Sequence, residues 1–413
     1  MFYKKIFIIL LFSLETILIS ASSDSSLISV VIMVKDEAPV ICETLQPLID
    51  GGIKNFLVYD TGSTDGTQDL ARNLFKKHNL CHTHIVEEPF VDFATSRNKA
   101  IEHAERLFPE TTFILMVDAE WYMSGVEELL NFCKQEKNST ANSYLVTYYA
   151  FAPHSKKPFL STGKEWLFRP FKNVKFVGVV HERLNIVTMQ SVPKNCFFEH
   201  RVSEYGGQKS AERFKKDKKA LLKAHTENPS DMHALYYLAL TCSWLGDWQE
   251  AYDFYKKHDM LQGKKNFITE LRLGDIVQHL PCESTKNSNI CSPAIEHYLQ
   301  AYCLRPHRAE PLVRIAQYYL AKNIMPLAFL FSLEATKMAY PAHDAHFIAI
   351  EDEVYNITRY DVLGISAWYV GKYELGEWAI RQALRSCPDS THLQKNLQFY
   401  TERLANKTQS MFK

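Results

Sequence analysis

The chain lacks an excess of charge of either sign: 47 Lys and Arg stand against 47 Asp and Glu in 413 residues, a formal net charge of zero. It also has no long block of like charge. A nucleic-acid-binding domain carries a basic patch or stripe, so nucleic-acid binding has no support as the main activity. Its nine cysteines are odd in number and scattered, and no C-x-x-C pair occurs. That argues against a structural zinc site or a thioredoxin-type motif. Cys282 and Cys291 flank a polar loop and could pair in an oxidising compartment, although scattered buried thiols are the commoner arrangement.

Hydrophobic residues make up 46% of the chain, which marks it as globular and long enough for about two or three domains. The N-terminus reads as a leader. Lys4-Lys5 precedes an apolar run from Ile6 to Phe12, Glu15 interrupts it, and Ser20-Ala21-Ser22 offers small residues for cleavage. Residues 1–22 have the pattern of a signal peptide or signal anchor. Sequons stand at Asn138, Asn356 and Asn406, where they matter only in a host that glycosylates them.

Beyond the leader, short apolar runs alternate with helical spacing. Strands are expected at residues 29–34, 56–60, 84–86 and from Phe113 into the two carboxylates, with helices over 39–49, through Leu70, Ala71 and Leu74, and over 97–107. Further strands are expected at 143–151, near 166–171 and at 195–200. This alternation means βαβ units and a mostly parallel sheet, placing an α/β domain over residues 28–205. After Tyr205-Gly206-Gly207 the pattern becomes purely helical, and a degenerate repeat can be counted over 206–405. Leu238, Ala239, Gly246, Ala251 and Tyr255 fit one tetratricopeptide-type unit, and Ala294 and Ala328 lie one 34-residue period apart.

The polar residues that end the strands are the candidates for chemistry. Phe113 to Val117 is a buried-strand run that stops at Asp118-Ala119-Glu120. Carboxylates at the carboxyl end of such a strand lie where open α/β sheets bind ligands. On an extended segment Asp118 and Glu120 would point the same way and converge on one hard divalent cation. Read alone, a strand end running into an acidic turn has the same sequence. Lys35-Asp36-Glu37 ends the first strand, and Asp60 and Asp65 bracket Thr61-Gly62-Ser63-Thr64 after the second. A carboxylate there can accept from a base N–H or a ribose hydroxyl, or simply cap the next helix. Arg97 can meet a diphosphate, Glu182 follows a short apolar run and can serve as a general base, and His200 closes the domain as a candidate metal ligand.

Taken in order, Lys35-Asp36-Glu37, residues 59–67, residues 93–98, Val117-Asp118-Ala119-Glu120 and residues 177–182 resemble a family 2 glycosyltransferase. Residues 205–255, Arg308-Ala309-Glu310-Pro311-Leu312 and residues 369–373 resemble the branch in which such a domain precedes tetratricopeptide repeats. The resemblance implies a GT-A fold, a nucleoside diphosphate sugar as donor and a divalent metal, Mn or Mg. It implies a nucleoside seated by Asp60 beside Lys35, Glu37 and Asp65, with Arg97 near the diphosphate. Metal and diphosphate would sit at Asp118 and Glu120, with Glu replacing the second Asp of an Asp-x-Asp motif. It points to Glu182 as the base and His200 as a further metal ligand.

The expected function is inverting, metal-assisted glycosyl transfer of hexosyltransferase type to a protein or glycan acceptor presented by the repeats. The alternative is a catalytically inactive scaffold acting through its repeats. A nucleotidyltransferase would need a glycine- and arginine-rich phosphate loop after the first strand, and none is present. The leader implies the secretory route or membrane association through the N-terminus, and a cytoplasmic location if it is not used.

Overall fold

The computed structural model describes residues 27–152, 157–188, 190–201, 204–281, 292–344 and 348–411. The leader and the Cys282–Cys291 pair lie outside the described residues. Among the described residues no helix is long and apolar enough to cross a membrane. The chain divides into two compact units, one of Met1–Ala150 with Gly163–Val202 and the other of Phe151–Thr162 with Ser203–Lys413.

The first unit is built on β1 (Ile28–Val34), β2 (Asn55–Asp60), β3 (His82–Glu87) and β4 (Phe113–Asp118). These lie in the order β3-β2-β1-β4 and run parallel. β1, β2 and β4 are almost wholly buried, as continuous apolar runs covered on both faces must be. β3 is the partly exposed edge. The crossovers are α1 (Ile41–Asp50), α2 (Thr67–Lys77) and α3 (Phe93–Leu107). α3 starts four residues before the spacing indicates, because Asp92 caps it by accepting from the Thr95 amide at 2.7 Å.

Beyond β4 the sheet continues through β7 (Leu160–Phe168), β6 (Ser143–Phe151), β10 (Phe197–Arg201) and β5 (Trp121–Ser124). β4 pairs with β7 and β10 with β5 antiparallel. β7 runs earlier than the expected 166–171. Pro170 cannot donate to a ladder, and the Arg169 guanidinium turns back to the carbonyls of Ala141, Lys137 and Glu136. α4 (Val126–Gln135) follows β5, and a two-stranded ribbon of β8 (Phe176–Val177) and β9 (Arg183–Leu184) precedes β10.

The second unit is helical. α5 (Glu204–Glu227) starts before Gly206-Gly207 and runs through both glycines. Antiparallel pairs follow: α6 (Met232–Leu245) with α7 (Trp248–Gln262), α8 (Phe267–Val277) with α9 (Pro293–Leu304), and α10 (Glu310–Ala321) with α11 (Met325–Thr336). The unit closes with α12 (Arg359–Tyr369), α13 (Tyr373–Ser386) and α14 (Thr391–Met411). Side chains of Asp231, Asn266 and Ser292 cap three of these helices. Ala251, Ala294, Ala328, Ala367, Ala379 and Ala383 are fully buried. Small residues at these contacts let paired helices approach, as stacked helical repeats require. Within this unit Ser161 exchanges backbone hydrogen bonds with Ile350 at 3.0 and 2.9 Å, and its hydroxyl donates to Asp352.

Candidate active site

The parallel register sets the site's frame. Val34 lies opposite Asp60 and Met33 opposite Asp118, so the carboxyl ends of β1, β2 and β4 form one edge. Two loops are tied together there. The amide of Asp36 donates to Ser63 Oγ at 2.8 Å, that of Glu37 to Thr67 Oγ1 at 2.8 Å, and that of Ala38 to Asp65 Oδ2 at 2.9 Å. In return Asp36 Oδ1 accepts from the Thr64 amide at 2.8 Å. Gly62 takes φ +105°, a left-handed conformation that favours glycine.

Asp60 is fully buried at the bottom of this edge. Its Oδ1 accepts from the amides of Gly62 and Ser63, both at 2.7 Å, while its buried Oδ2 has no hydrogen-bond partner. A buried carboxylate oxygen without a donor is costly unless a ligand supplies one. Asp65 differs. Both of its oxygens are spent on Ala38 and Thr67. Burial would raise its pKa, but these bonds prevail and hold it below the ordinary value. Asp65 braces the loop, and the backbone of Glu37 starts α1 by accepting from Ile41 at 2.9 Å. Lys35 is exposed at the end of β1.

The second cluster is centred on Arg97, which is only 2% exposed. Its Nη2 donates to Asp118 Oδ1 at 2.6 Å and its Nε to Glu182 Oε1, and its Nη1 is buried without a partner. The guanidinium carbon stands 4.5 Å from the centre of the Trp166 ring and 5.5 Å from that of Phe176. Burial acts to lower the pKa of Arg97, and the charges of Asp118 and Glu182 overcome it and raise it. For Glu182 burial acts upward and Arg97 downward, and Arg97 wins. Asn98, the next residue, pairs both ways with the backbone of Phe176, at 2.9 and 2.8 Å. The Arg97-Asn98 dipeptide thus fixes the β8–β9 ribbon as well as Glu182, which precedes β9.

Glu120 departs from the expected geometry. β4 ends at Asp118, and Glu120 sits in the turn before β5 with φ +64°. The two carboxylates therefore do not share one extended segment. A non-glycine residue at this φ is strained. It is held by its amide, which donates to Thr44 Oγ1 at 3.1 Å. The Glu120 carboxylate lies 3.7 Å from His200 Nε2, and His200 Nδ1 shares a hydrogen bond of 2.5 Å with the Tyr148 hydroxyl. Burial, with the charges of Asp118 and Glu120, raises the Tyr148 pKa and keeps its phenol protonated. β10 brings His200 opposite Trp121, and Gly125 permits this close approach. A Cβ on Gly125 would stand 2.1 Å from the carbonyl oxygen of Asn195.

An oxygen and an imidazole nitrogen facing each other, with the second ring nitrogen held from behind, is a donor set suited to a divalent ion. Asp118 keeps its Oδ2 outside any hydrogen bond among the described residues. The three expected ligands do not converge within 4.8 Å of one another, whereas two groups in the helical unit do. Of these, Cys242, Asp247 and Glu250 surround Lys218, whose ammonium lies 2.6 and 2.8 Å from the two carboxylates.

Lys164, Tyr148 and the stacked pair Trp121–Trp166, 4.3 Å apart, were not read from the sequence. In the β4–β7 register Leu115 faces Leu167, and Lys164 lies three residues before Leu167 in β7. The signal was present as alternation: in β7 the residues Lys164 and Trp166 share one face.

Among curated proteins, none matches the chain. Solved structures similar to part of it include MamA, 16% identical over 45% of this chain and 95% of that one with a TM-score of 0.33. Another is TTC0263, a thermophilic TPR protein in Thermus thermophilus, 16% identical over 47% of this chain and 94% of that one with a TM-score of 0.33. Residues 29–186, which run from β1 to just beyond β9 and carry Asp60, Arg97, Asp118 and Glu182, match the family model for Glycosyl transferase family 2, and the first unit is accordingly built around a family 2 glycosyltransferase domain.

Proposed function

We propose that the first unit transfers a hexosyl group from a nucleoside diphosphate sugar to an acceptor hydroxyl with inversion. The observation that carries this reading is the orphaned Oδ2 of Asp60, buried at the same sheet edge as the Arg97 cluster. β2 and β4 flank β1 on either side, so Asp60 and Asp118 stand about 10 Å apart by strand spacing. A nucleoside bridges such a span. Its base or ribose would donate to Asp60 at one end, and its diphosphate would reach the Asp118 corner at the other.

In the reaction the acceptor oxygen bonds to the anomeric carbon as the bond from that carbon to the phosphate oxygen breaks. The nucleoside diphosphate leaves with the electron pair, and the acceptor proton passes to Glu182. Arg97 favours the ionised form of Glu182, which is the form able to accept that proton. Arg97 also fixes Asp118 and Glu182 in one plane of contact, leaving Asp118 Oδ2 directed elsewhere. Glu120 and His200, which face each other at 3.7 Å, are the groups that would hold a divalent ion, which would supply positive charge to the departing diphosphate. The helical unit would present the acceptor, a protein or a glycan.

The test is release of free nucleoside diphosphate from a panel of nucleotide sugars by the purified full-length protein, with and without manganese. At least one donor is expected to turn over, and Asp118→Ala is expected to lower the rate by about 10²–10³-fold with the fold intact by circular dichroism. Absence of turnover with every donor overturns the enzymatic reading and favours the scaffold.

A further inference from the structure

We propose that Lys164 is a donor-binding residue whose ammonium contacts the diphosphate of the nucleotide. The proposal rests on the donor reading above and adds an anion contact that the Asp60 and Arg97 clusters do not provide. Three observations carry it. Trp166 is two positions along β7 from Lys164 and underlies the Arg97 guanidinium at 4.5 Å, which puts Lys164 on the side of the sheet that holds the cluster. Its Nζ lies 5.7 Å from the Trp121 ring centre and 5.5 Å from that of Tyr148, so the ammonium is aimed into the aromatic wall beside Glu120 and His200.

The third observation is what Lys164 does not do. Asp118 and Glu182 are both near enough to act on its charge, yet among the described residues it forms no ion pair or hydrogen bond with either. Both carboxylates face Arg97 instead. Lys164 is only partly exposed, so leaving its ammonium without a carboxylate partner carries a cost. Burial acts in that direction, lowering the Lys164 pKa. The aromatic faces offset part of this cost, and the ammonium keeps N–H groups for an incoming acceptor. The carboxylates of Asp118 and Glu182 and the guanidinium of Arg97 all act on the Lys164 charge, with the Glu120 carboxylate nearby. An anionic diphosphate entering this corner meets repulsion from the carboxylates. Lys164 is the ammonium placed to oppose it, and a lysine binds phosphate as a compact point charge.

The experiment compares wild-type full-length protein with Lys164→Gln and Lys164→Arg. Calorimetric titration measures binding of the uridine, guanosine, adenosine, cytidine and thymidine 5′-diphosphates and of the parent nucleosides, in EDTA and in manganese. For the diphosphate that binds wild type, Lys164→Gln is expected to weaken binding by about tenfold or more, in EDTA as well as in manganese. Affinity for the parent nucleoside is expected to stay unchanged, which also shows that the variant is folded, and Lys164→Arg is expected to recover part of the loss. Lys164→Met, close in shape, carries the same readout if the glutamine disturbs β7. Equal weakening of nucleoside and diphosphate, or a loss seen only with manganese, overturns the direct contact. Unchanged diphosphate binding in Lys164→Gln overturns the Lys164 assignment and leaves the donor reading standing. A wild-type protein that binds none of the five diphosphates overturns both.

Discussion

At the scale of single residues, Arg97 decides the character of the site. It is a fully charged group with almost no exposure, held between one nearly buried carboxylate and one that is 31% exposed. Removing one partner of such an arrangement is worse than never having built it, because the remaining charge stays buried and unpaired. Arg97→Met should therefore cost about 3–5 kcal/mol in a urea unfolding experiment, chiefly through Glu182. Asp118→Asn should cost less, since the amide still accepts from Arg97 and solvent reaches that side chain. Equal losses in the two variants would mean that Glu182 relaxes to water once Arg97 is gone. The same logic gives the strained turn at Glu120 its sense. Only there does the carboxylate reach towards His200, and the cost of the left-handed φ is met by the Thr44 bond and by β5 pairing with β10.

Elements rather than residues explain what the sequence made legible. β1, β2 and β4 are continuous apolar runs, and a run of that length with a polar stop has few other readings. The repeats were legible from the recurrence of alanine at 34 residues, since each helix pair must solve the same close-packing problem. β5, β8 and β9 were not, because they are two to four residues long and exist only through partners far along the chain. Asp60 could be named because it ends a strand, but its division into one satisfied and one orphaned oxygen depends on loop amides. Lys164 was missed because its neighbours Gly163 and Glu165 break the apolar pattern.

One elemental junction carries a pH prediction. Glu88, just after β3, accepts from Lys99 at 2.9 Å, pairs with His103 at 2.8 Å and accepts from Tyr59 at 3.1 Å, joining α3 to the ends of β2 and β3. The bonds from Lys99 and His103 lead in lowering its pKa from 4.5 to about 2. A depressed carboxylate contributes stability that is complete above its unfolded pKa and is lost as pH falls through the folded one. The stability gap between wild type and Glu88→Gln should thus close as pH falls from about 4.5 to 2. Paired urea titrations across that range check it, and a gap that persists at the acid end would show that Glu88 acts through packing alone.

At the scale of the whole molecule, the helical unit stands on a buried polar lock as well as on its small-residue contacts. Arg308 is 1% exposed and Glu310 fully buried. They meet at 2.5 Å, and Arg308 also donates to Asp344 Oδ2 at 3.2 Å and to the carbonyl of Ala349 at 2.8 Å. Tyr355 donates to Glu310 at 2.8 Å while accepting from the Ala309 amide at 3.0 Å. The turn between α9 and α10 is thereby bound to the segment before α12. In a stack of helical pairs each unit is stabilised by its neighbours, so a break here should spread outward and fade with distance. Arg308→Met should cost about 3–5 kcal/mol, and hydrogen exchange should show protection lost most in α9 to α12 and least in α5. Lysine should not rescue it, because a point charge cannot reproduce the planar fork that serves Glu310, Asp344 and Ala349 together. Adding Glu310→Leu to Arg308→Met should recover part of the loss, since that removes the stranded carboxylate itself. If the double variant is no more stable than the single one, the lock acts through hydrogen bonds to Ala349 and Tyr355 and not through the buried charges.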